Sequence, residues 1–401
     1  MAAARIESQV VFYYHLIITT SAKKHIDMQD RQDRQANRVD SIESLRGISA
    51  LLVLLYHYRL FLNDIAPNLG HTLFENGRIG VDIFFVISGF AIYLSTVKYK
   101  ERVVARFLVR RFFRIVPLAW LLMALVYWLT PNMQWEALLK SLFFIPLGTV
   151  DPPFFGYNIL TPAWTLTYEL CFYALFAVAL AIVPNYRGIG VTVLVCGMIL
   201  FLQWVAGTFT LNAYDKSTFE SLYIGSFWVG LLASPLFLEF LCGVFLAFVY
   251  LNYTDIFLRV PVRLRVAIYL FLFSFFISHF FSGSISGHGL DRKGLAAVAI
   301  FVFFLCAHAD PVLDWFRDRF IPGPGGVFLF LGKISFSLYV VHEFIHQFIY
   351  RIPVIYPIYD QTGGLGKFVT LSFFSILFAY LLYVLVELPT HNLGRRIAAR
   401  L

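Results

Sequence analysis

An arginine and a histidine, Arg46 and His57, stand eleven residues apart in an otherwise apolar stretch. A helix rising about 1.5 Å per residue returns both side chains to one face, about 16 Å apart along its axis. A neutral imidazole can take a hydroxyl proton or attack a thioester carbonyl near neutral pH, so His57 reads as a general base or an acyl acceptor. A snorkelling arginine and a histidine bonded to a neighbouring helix would explain the same pair without chemistry.

Four further segments carry polar residues where an apolar run makes them costly. Gly80-Val81-Asp82-Ile83-Phe84-Phe85-Val86-Ile87-Ser88-Gly89-Phe90 holds Asp82 near one end and Ser88 beside a glycine that permits close helix approach. Arg111 and Arg114 are three residues apart, hence on one helical face, among Arg102, Arg106 and Arg110. Forked guanidiniums at the start of a helix suit phosphates, and a charge cluster fixing membrane orientation is the plainer account. Glu169 lies seven residues into the run that opens Pro162-Ala163-Trp164-Thr165 and needs a partner or a function. His342-Glu343-Phe344-Ile345-His346 matches H-E-x-x-H, in which two histidines one turn apart bind zinc.

The elements that must position these groups are membrane helices. The 401 residues are 59% hydrophobic and 14% charged, against about 25% charged in soluble chains. Runs long enough to cross a bilayer of about 30 Å fall near residues 42–62, 78–97, 112–130, 162–183, 188–209, 227–250, 264–282, 294–310, 326–350 and 367–388. The expected fold is therefore an all-α polytopic bundle of about ten transmembrane helices. Of the 32 Lys and Arg, 22 fall in the segments that are cytosolic if the N-terminus is, so both termini are expected in the cytosol. The same loop placement accounts for the net charge of +8 without nucleic acid. Residues 1–40 read as a disordered cytosolic tail, 41–390 as the membrane domain and 391–401 as a short cytosolic tail. Within the first segment, an apolar run at Val10 to Thr20 makes a poor signal peptide, broken by Tyr13, Tyr14 and His15, and Met28 is an alternative start. The four cysteines lie in apolar stretches without metal-ligand spacing and read as packing residues. Pro131 to Thr161 contains an amphipathic stretch at Trp135 to Ile145 and a turn-rich end at Asp151 to Gly156, read as a shaped outer loop.

Counting rise along these spans places His57 roughly 22 Å from the cytosolic edge and Glu169 roughly 10 Å below the outer edge. His342 reaches a similar depth, Asp82 lies slightly above, and the arginines lie at the opposite face. A long donor arm running from cytosolic phosphates to a deeper reactive centre fits this layout.

Together these segments resemble the acyltransferase 3 family of integral-membrane enzymes that modify surface polysaccharides. The matching residues are Arg46-x10-His57, Gly80-Val81-Asp82-x-Phe84-Phe85-x-x-Ser88-Gly89-Phe90 and Arg111-x-x-Arg114. Trp164-Thr165-Leu166-x-x-Glu169, Ser335-Phe336-Ser337-Leu338-Tyr339-Val340-Val341-His342 and Glu387-Leu388-Pro389 follow in order. The resemblance implies transfer of an acetyl or other short acyl group from cytosolic acyl-CoA to a glycan or lipid-linked saccharide in the bacterial inner membrane. By it His57 is catalytic and supported by Arg46, with Glu169 and Asp82 beside them; Arg111 and Arg114 hold CoA; Ser88, Trp164, Tyr339, His342 and Glu387 are further candidates. No metal is expected. The likeness is to shorter members without an added hydrolase-like domain. Two other classes stay open: an intramembrane zinc protease using His342, Glu343 and His346, although no later segment offers an obvious third ligand, and a transporter of glycans or lipids.

Overall fold

The computed structural model describes residues 40–97, 101–216, 218, 227–283, 286–307, 310–320 and 326–401. The expectations for residues 1–39 fall outside them. Among the described residues, eight helices are long and apolar enough to cross a membrane: α1 (Asp40–Asp64), α2 (Leu69–Val97), α3 (Val103–Leu129), α5 (Ala163–Ile182), α6 (Pro184–Val205), α7 (Phe237–Phe257), α8 (Val262–Phe280) and α12 (Gly364–Arg400). Between α3 and α5 lies the short amphipathic α4 (Trp135–Leu142). A buried helix, α9 (Leu295–Ala307), follows α8. The bent pair α10 (Val327–Lys333) and α11 (Ser335–Arg351) turns by 77° and makes a ninth span if counted as one.

This count falls short of ten for physical reasons. The run at 294–310 forms a 13-residue helix, too short for a bilayer of about 30 Å. It is apolar on every side because most of its residues are buried within the protein, and hydropathy alone cannot distinguish that from lipid exposure. The run at 326–350 breaks at Lys333–Ser335, where Gly332 sits against the Glu43 backbone of α1.

Tight backbone contacts set the frame around the site. α2 and α7 cross at two glycines: a methyl at Gly89 would fall on the Phe240 carbonyl, and one at Gly243 would fall on the Val86 carbonyl and 2.7 Å from the Phe90 nitrogen. Close approach through small residues gives membrane helices the van der Waals contact that lipid-facing leucines cannot. Beside this crossing, Phe240 stacks on Phe85 and Phe172 with ring centroids 4.5 and 4.6 Å apart, so α2, α5 and α7 share one aromatic seam. At the far end of α8, Arg265 donates to Asp310 at 2.6 Å and Tyr269 donates to the same carboxylate at 2.7 Å. The amphipathic stretch expected at 135–145 is α4. The turn-rich segment after it folds inward: Pro152, Pro153, Phe155 and Asn158 to Leu160 are buried. The segment expected as a tail after residue 390 continues α12 as helix to Arg400.

The glycine crossing leaves no room for added volume. Gly243→Ala is expected to cost about 1–3 kcal/mol through overpacking and to lower the unfolding temperature in detergent, whereas Gly197→Ala, with nothing within 4 Å of the added methyl, leaves it unchanged or raises it slightly. An unaltered unfolding temperature for Gly243→Ala would refute the crossing.

Candidate functional site

The centre of the bundle holds a cavity of about 270 Å³ whose lining includes Arg46, Ser88, Arg111, Arg114, Glu169 and Tyr339. Its walls come from five helices that the sequence separates widely, α11 among them with Phe336 and Tyr339. α1 supplies Arg46 and Glu43, α2 supplies Ser88 with Phe84, α3 supplies the two arginines and α5 supplies Glu169. Arg111 is buried and donates to the Ala91 carbonyl at 3.2 Å and to Ser95 Oγ at 3.0 Å. Its guanidinium also lies 5.7 and 5.4 Å from the Phe107 and Tyr173 ring centroids. Arg46 pairs with Glu43 one turn before it, at 3.7 Å.

Glu169 lies among these arginines. It accepts a hydrogen bond from Ser88 Oγ at 2.7 Å and another from the Tyr173 hydroxyl. The depth count grouped it with His57; the structure places it in the arginine cavity. The cause is the inward-folded segment ahead of α5, which starts that helix inside the protein and not at its outer rim. Glu387 lies in the π-helical turn Tyr383–Glu387 of α12, accepts from Ser337 Oγ at 2.5 Å, and has Arg46 and Arg114 within electrostatic reach.

The cavity ends at Tyr339, whose hydroxyl bonds Thr165 Oγ1 at 2.8 Å and whose ring meets Phe84 with centroids 5.7 Å apart. Beyond it stand the histidines: the Tyr339 and His342 ring centroids are 6.1 Å apart, and those of His342 and His57 are 4.7 Å apart. His57 is exposed and His342 buried. Nδ1 of His57 lies 2.8 Å from the Val53 carbonyl, and Nδ1 of His342 lies 3.3 Å from the Leu338 carbonyl. A carbonyl only accepts, so Nδ1 of each ring carries the proton and Nε2 keeps its lone pair. Nε2 of His342 has no hydrogen-bond partner. Tyr58 fixes the α1 side of this pair by donating to the His342 carbonyl at 2.5 Å and bonding Ser375 Oγ at 2.8 Å.

His57, His342 and Glu343 each bring one potential ligand atom within 4.8 Å of the others, close enough to bracket a cation or an imidazolium proton. His346, the second histidine of the H-E-x-x-H segment, is outside this group; its Nδ1 lies 3.9 Å from Glu343. The cluster therefore does not join both motif histidines in one ligand set.

Asp82 and Trp164 lie in neither the cavity lining nor the histidine cluster. Asp82 is fully buried and accepts from His288 Nδ1 at 2.9 Å and from the Gly289 amide at 3.1 Å. Trp164 packs near His288, with centroids 5.5 Å apart, and edge-on to Phe154 at 4.9 Å. The Gly289 backbone adopts φ 117°, which favours glycine. Around this cluster burial pushes the Tyr214 hydroxyl up to about 12 and draws the Lys293 ammonium down to about 8.

Several site residues escaped the sequence reading. Tyr173 stands one turn after Glu169, and that spacing alone places it on the same face. Thr165 stands inside a motif that drew attention to its neighbours. His288 and Tyr214 come from distant loops, and no local pattern marks them.

Comparison with known proteins matches this architecture. The model of the acyltransferase 3 family, described as an acyltransferase domain, matches residues 39–384. The exopolysaccharide production protein ExoZ of Rhizobium meliloti (strain 1021) is 30% identical over 290 residues, covering 70% of this chain and 79% of that protein. No solved structure matches the chain. With the matched region spanning α1 to most of α12, the chain belongs to the acyltransferase 3 family as a multi-pass membrane protein.

Proposed function

We propose that the protein moves an acetyl or other short acyl group from cytosolic acyl-CoA to a hydroxyl of a cell-surface or lipid-linked glycan. The observation that carries this reading is the buried arginine cavity closed by Tyr339, with the His342–His57 pair on the other side of that ring. Guanidiniums bind the anionic end of a donor, the apolar walls at Val81, Phe85 and Phe90 accept an extended neutral arm, and the reactive imidazole waits where that arm ends. The name of the ExoZ relative supports an exopolysaccharide acceptor. The arginine-bearing end of α3 is then cytosolic, as are both termini, and the membrane is the bacterial inner membrane.

In this mechanism His57 Nε2 removes the proton of the acceptor hydroxyl. The resulting oxygen attacks the thioester carbonyl, the carbon–sulfur bond breaks, and the imidazolium returns its proton to the leaving thiolate. Glu343, close to both imidazoles, stabilises the positive charge that forms on His57. A variant of the same chemistry has Nε2 attack the thioester first, breaking the carbon–sulfur bond and releasing the thiolate; the acceptor hydroxyl then attacks the acyl-imidazole, the carbon–nitrogen bond breaks, and the hydroxyl proton passes to Nε2 and on to the thiolate. Glu169 and Glu43 balance the arginines, so the donor enters a site that is preorganised and not a cluster of bare charge.

Purified protein in nanodiscs, supplied with acetyl-CoA and a lipid-linked saccharide extract, is expected to release free thiol only when acceptor is present. His57→Ala is expected to lower that rate by about 10²-fold or more. Undiminished turnover by the variant would remove His57 from the chemistry, and movement of saccharide without thiol release would make the protein a transporter.

Chelation separates the base mechanism from a metal centre at the same residues. Dialysis against EDTA and 1,10-phenanthroline is expected to leave turnover unchanged. Activity lost on dialysis and restored by zinc would replace the free base with an ion held by His57, His342 and Glu343.

A further inference from the structure

A second cavity, of about 290 Å³, opens against the first and shares Ala91, Arg111 and Arg114 with it. Its outer wall is the final stretch of α12, Leu388–Arg400. His391 and Arg395 are one turn apart on that stretch, and Gly394 and Ala398 are buried on the same side. Gly394 brings the helix onto α3 so closely that an added methyl would stand 2.5 Å from Phe113 Cβ. This contact holds His391 and Arg395 over Arg110, Arg111 and Arg114, and all five side chains line the cavity. Among the described residues, no carboxylate does. The carboxylates that balance Arg111 and Arg114 lie on the side of the first cavity, so on this side Arg395 adds positive charge next to theirs and favours a multiply charged anion.

The two cavities also differ in character. The inner one has apolar walls and balancing carboxylates, whereas the outer one combines cations with the hydroxyls of Ser95 and Thr96. A molecule with a polyanionic head and a long neutral arm matches the pair in series. We propose that His391 and Arg395 complete the head-group site of the donor and bind phosphates of a nucleotide-headed acyl thioester, with Arg111 and Arg114 at the junction where head becomes arm. This rests on the acyl-CoA reading above and extends it to residues beyond the matched family region, which ends at 384.

The test compares two donors that share the thioester arm and differ in the head: acetyl-CoA, and S-acetylpantetheine, which has no phosphate. Arg395→Gln is expected to raise KM for acetyl-CoA about tenfold, the loss typical of one charge-assisted bond, with kcat unchanged. KM for S-acetylpantetheine stays at the wild-type value, and Arg395→Lys recovers part of the loss. His391→Gln follows the same pattern more weakly. Equal effects on both donors, or none on either, would overturn the proposal. Calorimetric binding of adenosine 3′,5′-bisphosphate tests the head site without turnover and is expected to be about tenfold weaker in Arg395→Gln. Equal binding by the variant and the wild type would overturn it, whereas a wild type that binds this probe but never consumes acetyl-CoA would refute the transfer reading alone.

Discussion

Three arginines enclosed by apolar helices set the conditions for the rest of this structure. An isolated buried ion costs several kcal/mol even after the surroundings relax, so Arg46, Arg111 and Arg114 require counter-charges or ligands. Glu43, Glu169 and Glu387 all lie within electrostatic reach of Arg114. They come from α1, α5 and α12, and the arginines come from α1 and α3. Charge balance therefore ties together helices that the chain makes hundreds of residues apart, and the cavity is the space around that balance. The pairs are not saturated: Glu169 also accepts from Ser88 and Tyr173, and Glu387 from Ser337. Hydrogen-bonded carboxylates of this kind hold guanidiniums in place and leave their outer edges for an anion.

Tyr339 stands between two groups of polar side chains. On one side lies the charged cavity; on the other lie two imidazoles whose Nδ1 protons are committed to carbonyls of their own helices. The break between α10 and α11 makes this arrangement possible. A continuous span through residues 327–351 would have one axis, whereas the 77° turn lets α11 start inside the protein, with Tyr339 against Phe84 of α2 and Thr165 of α5 and His342 against His57 of α1. Thr165 holds the tyrosine hydroxyl at 2.8 Å, so the ring's position depends on the first turn of α5 and on the inward-folded segment before it.

Much of this was legible in the sequence because membrane chemistry is unforgiving. Apolar length gave the positions of the helices, and the cost of intramembrane charge picked out Arg46, Arg111, Arg114, Glu169 and His342, which the structure collects in or next to one cavity. Arg46 and His57 both fall on one helix, α1, as the apolar run around them implies. Less legible were features that depend on how helices begin and break. Depth counted from the start of an apolar run misplaced Glu169, since nothing local reveals that residues 152–160 fold inward. The short α9 read as a span because a helix buried by protein and one buried by lipid have the same composition. His391 and Arg395 read as part of a tail because polar residues after a last span ordinarily face water, and only the close contact at Gly394 shows otherwise.

Asp82 shows where the rule about intramembrane charge needs a second criterion. It is as buried as any residue in the protein, yet its oxygens are occupied by His288 Nδ1 and the Gly289 amide. That arrangement closes the loop before α9 onto the middle of α2. Tyr214 reinforces it by accepting from the His288 amide at 3.1 Å while Arg292 lies over its ring at 4.7 Å. A costly charge is thus explained by partners that satisfy it. His57 differs in the feature that matters: one ring nitrogen is bound, the other keeps a lone pair, and the side chain is exposed. Both residues are polar groups set in apolar runs; on the reading proposed above, what separates them is that His57 keeps a free ring nitrogen on an exposed side chain whereas Asp82 is enclosed with its partners.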